Sequence, residues 1–176
     1  LSWMVALLPY VEQDALYRRF DMAKGYVGNA GPAGTHIRLY QCPVGASSDP
    51  TTHYVAMAGV GADAAGRAAG APGIGYMGYD RLTTRRLITD GTSNTIAVGE
   101  TRFDVGSWAR GGPSTVRGFI PAEHRPDGDG PPLGWCSSMM RCGMADGSVR
   151  NIRRPTPPDK VAAAVTIAGG ETILWD

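Results

Sequence analysis

Two Asp-Gly corners, each followed by small polar residues and an apolar strand-like run, constrain this chain most. The first lies in Ile88-Thr89-Asp90-Gly91-Thr92-Ser93-Asn94-Thr95-Ile96-Ala97-Val98-Gly99-Glu100 and the second in Met144-Ala145-Asp146-Gly147-Ser148-Val149-Arg150-Asn151-Ile152. Glycine supplies the positive φ that such bends need. Thr92 to Asn94 can hydrogen-bond their own backbone at the first bend. Asp90, Gly91 and Asn94 therefore read as one structural turn, and Asp146, Gly147 and Ser148 as the other. Thr95 to Gly99 reads as a buried strand leaving the first. Ser137 to Ala145 and Val149 to Ile152 read as the arms of a hairpin closed by the second. Both carboxylates are expected to accept backbone hydrogen bonds within their own turns, which makes the corners structural and not catalytic.

The chain has 176 residues, which suits one domain spanning 1–176. Its 25 glycines and 13 prolines favour short strands and long loops over a helical bundle. A net charge of +1 argues against a nucleic-acid binder. Arg81, Arg85 and Arg86 form one local basic cluster and Arg150, Arg153 and Arg154 another. Both are expected to be solvated faces, with contact to acidic lipid or polysaccharide as the alternative. No apolar run is long enough to cross a bilayer. The opening Leu1-Ser2-Trp3-Met4-Val5 shows no signal peptide and reads as a cut, with an anchor expected upstream.

Cys42, Cys136 and Cys142 cannot all pair internally; one disulfide with one free thiol, or no disulfide, are both open, and the pairing is unassigned. The Cys136 to Cys142 spacing is not that of a zinc ribbon.

Ser2 to Phe20 reads as helix interrupted once, with Pro9 in the first turn of the second piece. Its apolar residues could cover a sheet or a preceding helix. Gly25 to Gly34 reads as a loop, His36 to Gln41 as a short strand closed by Cys42-Pro43, and Thr52 to Ala58 as a strand. Gly59 to Gly75 is almost all glycine and alanine and reads as a surface excursion too small in side chain for a core. Phe119 and Ile120 belong to another strand, and Glu123 to Gly134 to a polar loop. Thr156 is placed to cap a helix with Pro157 or Pro158 in its first turn and Gly169 past its end. Thr172 to Trp175 suits a last strand.

The Ile88 to Glu100 stretch resembles the I-T-D-G-T-S-N-T-hydrophobic-G-E signature of a large bacterial family of pseudopilin-like proteins. That family is abundant in planctomycetes and is described as a domain of unknown function, sometimes as solute-binding-like. Ala145 to Arg150 resembles its A-D-G-S-V-R hairpin, and Ser2-Trp3 through Leu8-Pro9-Tyr10-Val11-Glu12-Gln13 its S-W-x-x-x-L-L-P-Y-x-E-Q lead-in. Cys42-Pro43 and Ala168-Gly169-Gly170-Glu171 match its C-P position and its tail. The resemblance implies a prepilin signal and a long apolar helix upstream, with membrane attachment only through that helix. A His-Pro-Gly-Gly-Ala-Asn-like run common in the family is replaced here by Ser138-Met139-Met140-Arg141-Cys142-Gly143-Met144, so no metal-binding or turn-locking role resting on that His or Asn is carried over.

Major pseudopilins of type II secretion systems bind calcium in a C-terminal loop, which makes Asp127, Asp129 and Asp146 the residues a calcium ion would use. The Asp127 loop lacks the EF-hand glutamate, since Ser138 stands in its place. Asp127 and Asp129 are read as solvent-exposed, and no cofactor is expected. No G-x-S-x-G elbow is present, and His36, His53 and His124 lie in separate segments. Gly59-Val60-Gly61-Ala62-Asp63-Ala64 lacks the lysine and hydroxyl of a phosphate loop. Trp135, Met139 and Met140 read as packing and not as a ligand groove.

The expectation is an α+β, pilin-like domain: an N-terminal helical segment packed on an antiparallel β-sheet with long Gly-rich loops. Its function would be non-enzymatic, as a subunit or accessory of a type II secretion or type IV pilus-like system outside the cytoplasm. Its partners would be other pilin-like subunits or secretion machinery. An envelope module binding a sugar or peptide is the alternative, and a secreted hydrolase the second alternative.

Overall fold

The computed structural model describes residues 1–45, 47–103, 105–124, 133–134, 139–153, 155–171 and 173. Within them the strands are β1 (Thr51–Thr52), β2 (Tyr54–Val60), β3 (Ile96–Glu100), β4 (Gly106–Ser107), β5 (Val116–Phe119), β6 (Met139–Met144) and β7 (Val149–Arg153). The α-helices are α1 (Trp3–Leu7), α2 (Asp14–Tyr17), α3 (Ala30–Ala33) and α4 (Pro158–Val165). None is long and apolar enough to cross a membrane. The result is a mixed α+β architecture with few helices.

Five strands form one sheet in the order β5-β2-β3-β6-β7, and β1 pairs with β4 in a separate ribbon. The neighbours are antiparallel except β2 and β5, which run parallel. The sheet is therefore not antiparallel throughout, as the sequence suggested. β2 carries apolar side chains on both parities and is buried on both faces. On one face Val55, Met57, Ile96, Phe119, Met140, Cys142, Met144 and Ile152 pack against Val161, Ala164 and Val165 of α4. On the other, Ala56, Ala58 and Val116 meet Ala64 and Ala65.

The helix that covers the main core face is thus the C-terminal one, and of the N-terminal helical segment Trp3 packs on the other face against Ala56, Ala58 and Val116. α4 begins at Pro158, where a missing N–H costs nothing, and runs through three alanines. Thr156 does not cap it; its hydroxyl donates instead to the Arg153 carbonyl (2.6 Å). The expected N-terminal helix breaks into α1, a 3-10 turn over Leu8–Val11 and α2, because Glu12 adopts a left-handed φ of 61°. These pieces wrap Trp108, which follows β4 and is fully buried. The indole donates to the Thr35 carbonyl (2.8 Å), with Phe20 and Tyr40 rings 5.9 and 5.5 Å away. Ser2 caps α1 by accepting from the Met4 amide (3.2 Å). His36 to Gln41 is not a strand: Arg38–Tyr40 forms a 3-10 turn that brings the Tyr40 hydroxyl to the Met4 carbonyl (2.8 Å). Burial raises the Tyr40 pKa to about 12. α3 lies inside the stretch expected to be a loop. Of the expected last strand, Ile173 is buried in the core, and the rest lies outside the described residues.

The Gly/Ala stretch is where the fold departs most from its sequence reading. Its middle, Ala62-Asp63 and Gly66 to Pro72, does lie at or near the surface, but Ala64 and Ala65 pack in the core and the two ends of the stretch join the sheet. Beyond Ala56, the last β2 residue paired with β3, the chain at Gly73 to Met77 returns beside β2. Val60 donates to Gly73 (2.8 Å), Gly75 to Ala58 (2.7 Å) and Met77 to Met57 (3.0 Å). Small residues are required here because backbones touch. A Cβ on Gly59 would stand 2.0 Å from the Gly73 carbonyl oxygen, and one on Gly118 only 1.9 Å from that of Gly61. Arg81 then pins the return. Its two terminal nitrogens donate to the carbonyls of Ala64, Arg67, Ala58, Gly75 and Met77 at 2.5 to 3.3 Å. Arg81 is therefore an internal staple and not part of a solvated face, whereas Arg85 and Arg86 are exposed.

Backbone crowding and backbone strain make different demands on glycine. Gly118→Ala is expected to lower stability by about 3 kcal/mol, because a main-chain oxygen must move. Gly147→Ala meets open space and only a φ of +87°, and is expected to cost about 1 kcal/mol. Urea midpoints of the two variants check the order.

Candidate functional site

The first Asp-Gly corner builds a junction between distant parts of the chain. Gly91 takes a φ of +94°, and the Asn94 amide closes the turn on the Gly91 carbonyl (3.0 Å). The Asn94 side chain donates to the Asp90 carbonyl (3.2 Å), and the Thr95 hydroxyl donates to the Gly91 carbonyl (3.1 Å). The Asp90 carboxylate does not serve its own turn. It accepts from the amides of Gly169 (2.7 Å) and Gly170 (2.9 Å) in the C-terminal segment. The Asp90 amide donates to the Ile167 carbonyl (3.3 Å), and the Ile167 amide to that of Ile74 (3.1 Å).

The second corner docks on the first. Asp146 donates its amide to the Thr92 carbonyl (3.1 Å), and Ala145 donates to Thr95 (2.8 Å). Within the corner, the Asp146 carboxylate accepts from the Ser148 amide (2.9 Å) and hydroxyl (2.6 Å). These bonds hold its pKa below the usual carboxylate range, the hydroxyl contributing most. Met144 donates to Ser148 and Gly147 to Met144, which makes Ala145, Asp146 and Gly147 a three-residue hairpin loop with a bulge at glycine. Asp90, Gly91, Asn94, Asp146, Gly147 and Ser148 are thus brought together with the Gly169-Gly170 segment, at a place where main chain is held by side-chain oxygens.

A second cluster surrounds Glu100, at the end of β3, and sequence reasoning passed over it. The glutamate is fully buried. Its carboxylate accepts from the Arg141 amide (3.0 Å) and pairs with the Arg141 guanidinium (3.3 Å), whose side chain is 49% exposed. Tyr54 lies opposite Glu100 in the ladder, and the neighbouring His53 carbonyl accepts from Thr101 (2.8 Å). The His53 ring accepts at Nδ1 from the Cys42 amide (3.0 Å), which leaves its proton on Nε2. Burial lowers the His53 pKa, and the Glu100 charge partly offsets this. Burial, then Glu100, push the Cys142 thiol up and keep it protonated. One signal in the sequence could have found this site: Glu100 is an acidic residue closing an otherwise apolar buried strand.

Cys42 and Cys142 are free, buried thiols. Cys136, Asp127, Asp129 and Trp135 lie outside the described residues. Met140 sits in the core with Met139 packed against it. Among the described residues, no group of three or more His, Cys, Asp or Glu is arranged to hold a metal ion. His36 is exposed, and the buried His124 places Nε2 3.3 Å from the Thr156 carbonyl with its ring edge-on to Phe119. A cleft of about 520 Å³ opens beside β5, with Ala65, Tyr79, Val116 and Ile120 as largely apolar lining and Asp63, Arg117 and Glu123 as charged lining.

Residues 1–142 match the model of a family described as "Protein of unknown function (DUF1559)". The chain belongs to that family. The matched span contains the lead-in, Cys42-Pro43, the Asp90 turn and Glu100; the Asp146 corner and the Gly169-Gly170 segment that the turn grips lie beyond it. No curated protein and no solved structure matches the chain.

Four outcomes test the two clusters. Asp90→Ala should cost about 1 kcal/mol and speed hydrogen exchange at Gly169 and Gly170, since two amides lose a charged acceptor. Arg141→Ala strands a buried carboxylate and should cost about 2–3 kcal/mol, less than for a fully buried pair because Arg141 is half in water. Adding Glu100→Gln should restore part of that loss, read by a double-mutant cycle. For His53, a folded pKa below the unfolded one means that the unfolded chain binds the proton first. Stability should therefore fall as pH drops below about 6.5, and His53→Gln should flatten the slope of the urea midpoint between about pH 7 and 5.

Proposed function

We propose that the chain is the extracytoplasmic head of a pseudopilin-like subunit or accessory of a type II secretion or type IV pilus-like system, and that it performs no reaction. One observation supports this reading above others: the side chains of the recurring motifs are spent on main chain. Asp90, Asn94, Thr95 and Asp146 each hold backbone groups of turns or of the C-terminal segment, and the Ser148 hydroxyl donates to the Asp146 carboxylate. The resemblance of the lead-in, the turn and the tail to pseudopilin-like proteins supports it further. In this reading an upstream apolar helix anchors and packs the subunit, and the sheet with its loops is displayed to other subunits or to secretion machinery.

Two rings that a hydrolase would recruit each have one nitrogen engaged elsewhere: His53 Nδ1 faces the Cys42 amide and His124 Nε2 the Thr156 carbonyl. A module binding a sugar or peptide in the envelope is the second reading, and the cleft with Tyr79, Val116 and Ile120 favours it.

The deciding experiment expresses the full-length gene product with a prepilin peptidase. Cleavage upstream of Leu1, a methylated new N-terminus and recovery in a sheared filament fraction are expected. A product without a prepilin segment, or one that stays uncleaved and monomeric, removes the assembly reading. Chemical-shift changes at Tyr79 and Val116 with added saccharide or peptide would then favour the binding module.

A further inference from the structure

We propose that the cleft between the N-terminal lead-in and the segment that follows the Gly/Ala return binds a neutral saccharide. The cleft holds about 560 Å³, within the span of small-ligand sites (roughly 300–1,000 Å³). It is distinct from the cleft beside Ile120, with which it shares Tyr79 and Val116. Trp3, Tyr76, Tyr79, Asp80, Arg81 and Thr83 carry its chemistry. Asp80 is held in the left-handed region at a φ of 51°, a conformation that costs a non-glycine residue energy. Its exposed carboxylate pairs with no described residue. The Arg81 Nε and the Thr83 hydroxyl are buried and also lack a hydrogen-bond partner among the described residues. Buried polar atoms normally find one. Backbone strain and three unmet polar groups therefore coincide at one cleft.

The lining selects the ligand class. Aromatic faces carry partial negative charge and attract the polarised C–H face of a sugar ring, and three aromatic residues border the cleft. A carboxylate accepts strong charge-assisted bonds from ligand hydroxyls, which Asp80 is free to do. Arg81 spends its terminal nitrogens on five carbonyls and stays as a fixed positive charge beside Asp80. A carboxylated ligand would meet Asp80 and an ammonium would meet Arg81, so both charges favour a neutral one. An extended peptide finds no ladder to join, because the main chain along this wall is engaged. The Thr115 and Val116 amides donate to the Gly112 carbonyl (3.0 and 2.9 Å). The Thr115 carbonyl accepts from the Trp3 indole (2.9 Å) and the Val116 carbonyl from the Tyr79 hydroxyl (3.4 Å).

The site does not rest on the filament reading, since saccharide binding can fail while prepilin processing succeeds, and the reverse. The test titrates the isotope-labelled chain of residues 1–176 with neutral tetrasaccharides of glucose, galactose, mannose and xylose units. Tetramers of galacturonate and of glucosamine serve as charged controls. A neutral tetrasaccharide should shift the Trp3 indole N–H and the Gly78 amide, and should bind roughly tenfold more tightly than either control. Asp80→Asn keeps the side-chain shape and tolerates the same φ, and should weaken binding about tenfold. Tyr76→Leu keeps an apolar group beside Ile74 and Ile88 but removes the ring, and should weaken binding about fivefold. Binding that either variant leaves unchanged overturns the proposal. So do shifts confined to Ile120 and Glu123, tighter binding of a charged control, or no binding by any neutral tetrasaccharide.

Discussion

The carboxylate of Asp90 grips two amides that lie 79 and 80 residues further along the chain. Much of the structure depends on where that grip is made. β3 leaves the Asp90 turn and becomes the middle strand of the sheet, with β2 on one side and β6 on the other. The same turn receives the β6–β7 corner on its Thr92 and Thr95 carbonyls. The segment following α4 is held through Ile167, Gly169 and Gly170, and that helix covers one face of the sheet. A single tight bend thus sets the register of a strand, the position of a hairpin and the seat of a helix. Each individual bond is modest in water. Their arrangement on consecutive residues is what makes the junction specific.

The local elements were largely legible. Asp146-Gly147 flanked by apolar runs announces a hairpin, and Pro157-Pro158 ahead of three alanines announces α4. Both follow from rules that act over a few residues. What could not be read acts at long range. Nothing near Asp90 says that its carboxylate will prefer Gly169 and Gly170 to its own turn. Glycine and alanine between Gly59 and Gly75 look like a flexible loop until the close approaches of Gly59 to Gly73 and of Gly118 to Gly61 show why larger residues are excluded. Arg81 looked solvated because its partners are carbonyls, which leave no trace in a sequence. The N-terminal helical spacing was real, but a left-handed Glu12 broke it, and the pieces wrap Trp108 while Trp3 reaches Ala56, Ala58 and Val116 of the sheet.

The geometry of the acidic groups says what they do in this fold. Most acidic groups of note face main chain or a guanidinium. Glu100 is the instructive case. A carboxylate with no exposed surface would be costly alone. It is tolerable because the Arg141 amide, turned toward β3, and the half-exposed Arg141 guanidinium meet it at the junction of β3 and β6. That arrangement favours one strand register over its neighbours, since a shift by one residue would leave the charge unmatched.

The parallel pairing of β2 with β5 carries a consequence for how the molecule reaches this state. Two parallel neighbours cannot be joined by a tight turn, and here the intervening chain includes β3 and β4. The ends of that long crossover must meet before their bonds return anything, and such non-local closure slows folding. The hairpin of β6 and β7 closes through local contacts, whereas β5 reaches β2 only across that long crossover. A nascent chain would therefore show an open β2 edge for some time, which makes β5 docking the step at which a folding helper would matter most.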